Sequence, residues 1–166
     1  MAERLLIRYG VMGEVARFAA TDVACETGAA VVVRSSRGEE LGMVVGRETN
    51  GEAAIDGSPK VLRSATDDDR HRQSELRTEC ETDFPKWQDR IREWQVDLEL
   101  IDLEKTLDGE KLVLYVLNDR GPETTKLALR AAAAGFGVIE VQPVGREGLI
   151  HAATGGGGCG SCGHKK

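Results

Sequence analysis

Apolar residues in the first third of the chain come in short blocks. Leu5 to Tyr9, Gly13 to Ala19 and Ala29 to Ser35 are rich in Val, Ile, Leu and Tyr and are parted by glycine-containing breaks, which predicts strands. Arg34 to Gly46 reads as a hairpin with Ser36-Arg37-Gly38 at its turn and Leu41 to Val45 in the returning strand. Glu48 to Pro59 is polar and glycine-bearing and is expected as a loop, with Lys60 to Arg63 as a short exit strand. Together these predict a small antiparallel β unit over residues 1–63.

The period then changes. Leu76, Cys80, Phe84, Trp87, Ile91 and Trp94 recur at spacings of three and four, which places them on one face of a helix. Thr66 is a good N-cap, and Asp67-Asp68-Asp69 suits the positive end of a helix dipole. Pro85 lacks an amide donor and biases Phe84 away from helical dihedrals, so either a kinked helix or two helices meeting near Phe84 is expected.

Val96 to Leu107 and Glu110 to Asn118 read as two strands joined across Asp108-Gly109, a strong hairpin signal. Pro122 suits a first helical position and Gly135 a helix end, and Val138 to Pro143 closes the series as a strand. The fold class is α+β: a β unit, a long kinked helix, then hairpin, helix and strand. From Gly145 the pattern dissolves, and residues 147–166 are expected as a flexible Gly/Cys/His tail.

Composition adds three constraints. The 166 residues suffice for a core without disulfide or metal support. The net charge of −6 and the lack of a Lys/Arg run argue against direct nucleic-acid binding, which draws on clustered cations. The opening residues MAERLLIRYG lack the apolar core of a secretory signal, and no apolar run reaches membrane-spanning length, so cytoplasm is the expected compartment. Cys25, Cys80, Cys159 and Cys162 are then expected as thiols or metal ligands.

Most candidate chemistry has a simpler reading. Asp67-Asp68-Asp69 offers Mg²⁺ ligands, but a solvated helix start accounts for it. Gly135-Phe136-Gly137 closes a helix rather than opening one, so it is a turn and not a phosphate cradle. His71 falls on a polar helix face, and Cys80 sits as a small hydrophobe on the apolar stripe. With no G-x-S-x-G or H-E-x-x-H motif and no nucleophile–base spacing, an enzyme is not expected. The tail is the exception. Cys159 and Cys162 are spaced to reach one metal ion, His164 is a candidate third ligand, and His151 or a partner chain would complete the set. A cycling dithiol and an incidental pair of cysteines are the competing readings.

Three stretches carry a family resemblance. Arg37 to Gly46 (RGEELGMVVG), Pro59 to Asp69 (PKVLRSATDDD) and Asp108 to Val116 (DGEKLVLYV) resemble, in order, elements of the polymerase-suppressor C-terminal domain family of RicT-like and YaaT-like bacterial regulatory adaptors. The likeness runs from about Leu5 to Arg146, which marks residues 1–146 as that domain. It implies a non-enzymatic adaptor that binds protein partners similar to RicA, RicF or RNase Y. It also implies a link to RNA processing and an iron–sulfur cluster, with zinc the other metal expected for the tail thiols. Three places depart from the family pattern: Trp87 stands where a cysteine is common, Phe136, Gly137 and Val138 replace basic residues near the last strand, and the tail keeps the glycines and Cys159-Gly160 while Cys162 only loosely stands for a distal Cys-Cys pair.

Overall fold

The computed structural model describes residues 2–20, 23–51, 57, 59–117 and 121–151. Five strands, β1 (Ala2–Tyr9), β2 (Glu14–Ala19), β3 (Ala30–Arg34), β4 (Glu39–Gly51) and β5 (Lys60–Ser64), close into a barrel in the order β1-β2-β5-β3-β4. Strand alternation fills it: Leu5, Ile7 and Tyr9 of β1 turn inward with Phe18, Val31, Val33, Val44 and Val61. Cys25, which the sequence could not place, is buried in this core.

The expected antiparallel unit is thus closed, with one parallel seam where β2 meets β5 at Ala19 and Lys60. The hairpin at Ser36-Arg37-Gly38 is present. Part of the expected loop after it is not: β4 continues to Gly51 because β1 lies beside it as far as Ala2. A ladder partner overrides local polarity there.

The second layer consists of α1 (Asp67–Glu93), β6 (Glu99–Lys105), β7 (Lys111–Leu117), α2 (Pro122–Ala133), β8 (Val138–Gly145) and the short β9 (Gly148–Leu149). The sheet order is β6-β7-β8-β9. β7 and β8 are parallel with α2 crossing between them, and the other pairs are antiparallel. α1 packs on β6 and α2 on β8, enclosing a core of Trp87, Ile91, Leu103, Leu114, Val116 and Leu127. One helix passes through Pro85, so the two-helix alternative does not hold. Leu76, Cys80, Trp87 and Ile91 are buried, with Phe84 and Trp94 packed alongside.

Helix ends follow the capping rules. The Thr66 hydroxyl accepts from the Asp69 N–H while the Asp69 carboxylate accepts from the Thr66 N–H. Arg63 donates to the same carboxylate, and these bonds hold its pKa well below the usual carboxylate range. Both helices stop in a left-handed residue, Gln95 (φ 54°) and Gly135 (φ 80°). After each, the next N–H reaches back to Ile91 O or Ala131 O. Thr66→Ala removes one half of the α1 cap and is expected to lower unfolding stability by about 1 kcal/mol, measurable by urea titration.

Candidate functional site

Two of the three motif segments, Arg37 to Gly46 and Asp108 to Val116, meet where the barrel joins the second layer. Arg37, in the β3–β4 turn, reaches across to the Tyr115 hydroxyl of β7 and lies 3.5 Å from Glu104 of β6. It also pairs with Glu40 of β4, and its guanidinium sits 5.4 Å from the centre of the Tyr9 ring. The Tyr115 hydroxyl donates to Glu104, which also accepts from the Val11 N–H at 3.0 Å. The Ser35 hydroxyl donates to Glu40. One cation therefore holds two carboxylates, and the side chains of Arg37, Glu40 and Glu104 are 9%, 4% and 9% exposed.

Burial sets the charge states. It pushes Glu40 up, against the pull of Arg37 and the Ser35 hydroxyl. It pushes Tyr115 far up as well, with the Glu104 charge adding to the effect, so the phenol stays protonated and can donate. Burial opposes the charge on Arg37, but Glu40, Tyr115 and Glu104 outweigh it and raise its pKa. Among the described residues every buried side-chain nitrogen and oxygen has a hydrogen-bond partner.

Glycines allow the close approach. A Cβ on Gly10 (φ 73°) would stand 2.8 Å from the Arg37 guanidinium, and one on Gly42 would stand 2.5 Å from Ile7 Cγ2. Asp108 continues the joint outward: its carboxylate accepts from the Glu39 N–H at 3.1 Å and from the Thr106 hydroxyl, while the Leu107 N–H donates to Glu39 O. The RGEE and DGEK motifs are thus two sides of one clasp.

Beside the clasp is an open cleft of about 560 Å³ between the barrel and the first half of α1. Its floor is apolar, with Leu76, Cys80 and Leu103, and burial pushes the Cys80 thiol pKa up. Val11 and Met43 stand on its rim at 40% and 41% exposure. Arg8, Arg70, Arg77 and Lys105 also line it, whereas among the described residues Glu104 is its only carboxylate and is bonded into the clasp. Arg70, Arg77 and Lys105 have carboxylate partners in Asp67, Asp102 and Glu79. A volume of this size, with an apolar floor and few polar groups, has the character of a binding site. The sequence did not reveal it, because its two walls come from elements far apart in the chain.

The residues picked from sequence fall elsewhere. Cys159, Cys162 and His164 lie outside the described residues. His151 sits beside Glu14 at 3.9 Å, and His71 is exposed beside Glu75 at 3.4 Å. Among the described residues no group of three or more His, Cys, Asp or Glu is arranged to hold a metal ion. Asp67-Asp68-Asp69 begins α1 as expected, and no helix among them is long and apolar enough to cross a membrane. Two of the departures from the family pattern meet in space: the Trp87 and Phe136 rings are 4.9 Å apart, with the Arg90 guanidinium 4.4 Å from the Phe136 centroid.

The family model of the PSP1 C-terminal conserved region matches residues 59–121. Residues 59–121 are therefore similar to a PSP1 region. That region begins ahead of β5, takes in α1, β6 and β7, and ends at the N-cap of α2. Glu104 and Tyr115 of the clasp belong to the PSP1 region, and Arg37 and Glu40 reach it from the barrel. The chain is also similar to "Stage 0 sporulation protein YaaT" of Bacillus subtilis (strain 168), with 27% identity over 159 residues, or 95% of this chain. It spans 57% of that relative's length. No solved structure matches it. The PSP1 and YaaT matches bear out the family resemblance read from the three motifs.

Proposed function

We propose that this PSP1-region chain is a non-enzymatic, cytoplasmic regulatory adaptor that docks protein partners in the cleft between the barrel and α1. The observation that carries this reading is the pairing of a closed clasp with an open cleft. The polar groups of the clasp are spent on one another, while Val11 and Met43 stand exposed over an apolar floor. Exposed apolar residues at the rim of a concave surface mark an interaction site. Likeness to YaaT and to the polymerase-suppressor family supports a regulatory role, with RicA-like, RicF-like or RNase Y-like partners and a link to RNA processing.

The tail supplies the second element. Two thiolates and an imidazole, from Cys159, Cys162 and His164, fit zinc or the iron of an Fe–S cluster, with a partner chain completing the set. The bound group would tie the tail to a partner. The alternative for the same Cys-Gly-Ser-Cys segment is a thiol-redox module, which needs no metal.

Anaerobic affinity purification with metal analysis tests both elements. The parent is expected to retain a partner and metal. Met43→Glu and Val11→Glu should lose the partner while keeping the parent melting temperature. Cys159→Ser with Cys162→Ser should lose the metal. Turnover of a small molecule by the purified chain, abolished by one substitution in the cleft, would overturn the adaptor reading. A metal-free parent with an interconverting disulfide would favour the redox module.

A further inference from the structure

The cleft between the barrel and α1 presents side chains and no free strand edge. Its barrel wall is β1 and β4, and each has a partner on both sides: β1 lies between β2 and β4, and β4 between β1 and β3. β6 is the edge of its own sheet, but side chains seal that edge where it meets the cleft. The Leu103 N–H donates to Asp102, Leu103 O accepts from Arg77 at 3.4 Å, and the Lys105 N–H donates to the Cys80 sulfur. Among the described residues the cleft therefore gives an added strand nothing to pair with, and recognition falls to side chains.

Those side chains form two sets. Met43, Leu76, Cys80 and Leu103 make an apolar strip. Along α1 the lining runs from Arg70 to Cys80, about 15 Å at the helical rise, or roughly three turns. Cations stand on both walls. Arg8 of β1 is exposed and has no carboxylate partner among the described residues. Arg70 of α1 pairs with Asp67, whose side chain is fully exposed and outside the cleft, and such a surface pair is weak. The partners of Arg77 and Lys105, Asp102 and Glu79, also lie outside the lining. Among the described residues every charge facing the cleft beyond the clasp is thus positive, on a chain of net charge −6.

The stretches outside the described residues do not bring the matching acid to the cleft. Residues 152–166 continue from His151, beside Glu14, and contain two lysines, one histidine and no Asp or Glu. Residues 21–22 and 52–56 hold carboxylates, but their neighbours Ala20 and Gly51 bond to Glu3 and pair with Ala2, at the far end of β1 from Arg8. Residues 118–120 follow Leu117, which pairs with Glu99 at the far end of β6 from Lys105.

We propose, resting on the reading of this cleft as a docking site, that its occupant is an acidic amphipathic helix of a partner protein. About three turns would lie along the first half of α1, with apolar side chains on the strip and Asp or Glu on either flank against Arg8 and Arg70. A helix satisfies its own backbone groups, whereas an extended peptide would bring unpaired N–H and C=O groups onto an apolar floor. RNA would need exposed rings to stack its bases, and Tyr9, the one aromatic lining residue among those described, is buried.

Fluorescence anisotropy on the full chain tests the proposal with three labelled probes. The first is a helical peptide of about four turns with Leu at i, i+3, i+4 and i+7 and Glu and Ala elsewhere. The second has Lys in place of Glu, and the third is a uridine oligonucleotide. The parent is expected to bind the Glu peptide at least about tenfold more tightly than the Lys peptide, and to lose affinity as salt rises. Arg8→Glu with Arg70→Glu should weaken that binding by about tenfold or more, while Arg130→Glu, on α2 outside the cleft, should leave it unchanged. Circular dichroism reports whether each variant stays folded. Failure of the Glu peptide to bind, equal binding of the two peptides, or binding unmoved by the Arg8 and Arg70 substitutions would overturn the proposal. Tighter binding of the oligonucleotide, lost with those same substitutions, would overturn it in favour of RNA. Met43→Glu keeps the two readings apart. A purified partner lost with Met43→Glu but kept with Arg8→Glu and Arg70→Glu leaves the docking cleft standing and removes only its acidic occupant. A partner kept in all of them removes both.

Discussion

Arg37→Ala is expected to cost about 3–5 kcal/mol of unfolding free energy, because it leaves Glu40 and Glu104 buried without a cation. Urea titration at neutral pH measures it. The same variant should be less handicapped in acid. Burial raises Glu40 above its ordinary 4.5, so the folded state holds a proton that the unfolded state has released, and stability falls as pH rises through that interval. Removing Arg37 enlarges this effect. The gap between variant and parent should therefore be widest at pH 7 and narrow towards pH 4. A loss under about 1 kcal/mol at pH 7 would show that the clasp does not bind the barrel to the second layer.

Trp87→Ala is expected to cost about 3–5 kcal/mol, the range for truncating a buried aromatic. Trp87 is 2% exposed and packs against Trp94 at 6.2 Å and Phe136 at 4.9 Å between ring centres. Its loss opens a cavity between α1 and the turn after α2 and removes the ring beneath Arg90. The parent should show blue-shifted, quencher-protected tryptophan emission, and the variant a red-shifted signal from Trp94 alone. A stable variant with unchanged Trp94 emission would mean that the aromatic group is a surface ornament.

Much of this architecture was legible locally. The three-and-four spacing from Leu76 to Trp94 identified the buried face of α1, and Thr66 with Asp69 identified its start. Asp108-Gly109 located the β6–β7 turn, and Pro122 with Gly135 bracketed α2. These signals depend on a few neighbouring residues. What escaped depends on distant partners. Closure of the barrel rests on β2 reaching β5, the extra length of β4 rests on β1, and β9 rests on a short return against β8. Pro85 was a fair warning of a break, but the stripe on both sides of it packs on a common core and carries the helix through.

The site divides along the same line. The motif residues Arg37, Glu40 and Tyr115 were noticed as a resemblance, and only the fold shows that they touch. The cleft is built from β1, β4, α1 and β6, and no single stretch of sequence holds its outline. The tail carried the most explicit chemical signal, in Cys159, Cys162 and His164, and it lies outside the described residues.

Partners are proposed to dock in the cleft while the clasp serves as a joint. Hydrogen exchange of the full chain, free and bound to a partner isolated under anaerobic conditions, tests it most directly. Binding is expected to slow exchange in Arg8–Val11, Leu41–Met43 and the α1 segment Arg70–Arg77, and to leave that around Tyr115 unchanged because the clasp is already closed. Protection confined to other surfaces, with these three segments exchanging as in the free chain, would contradict the account.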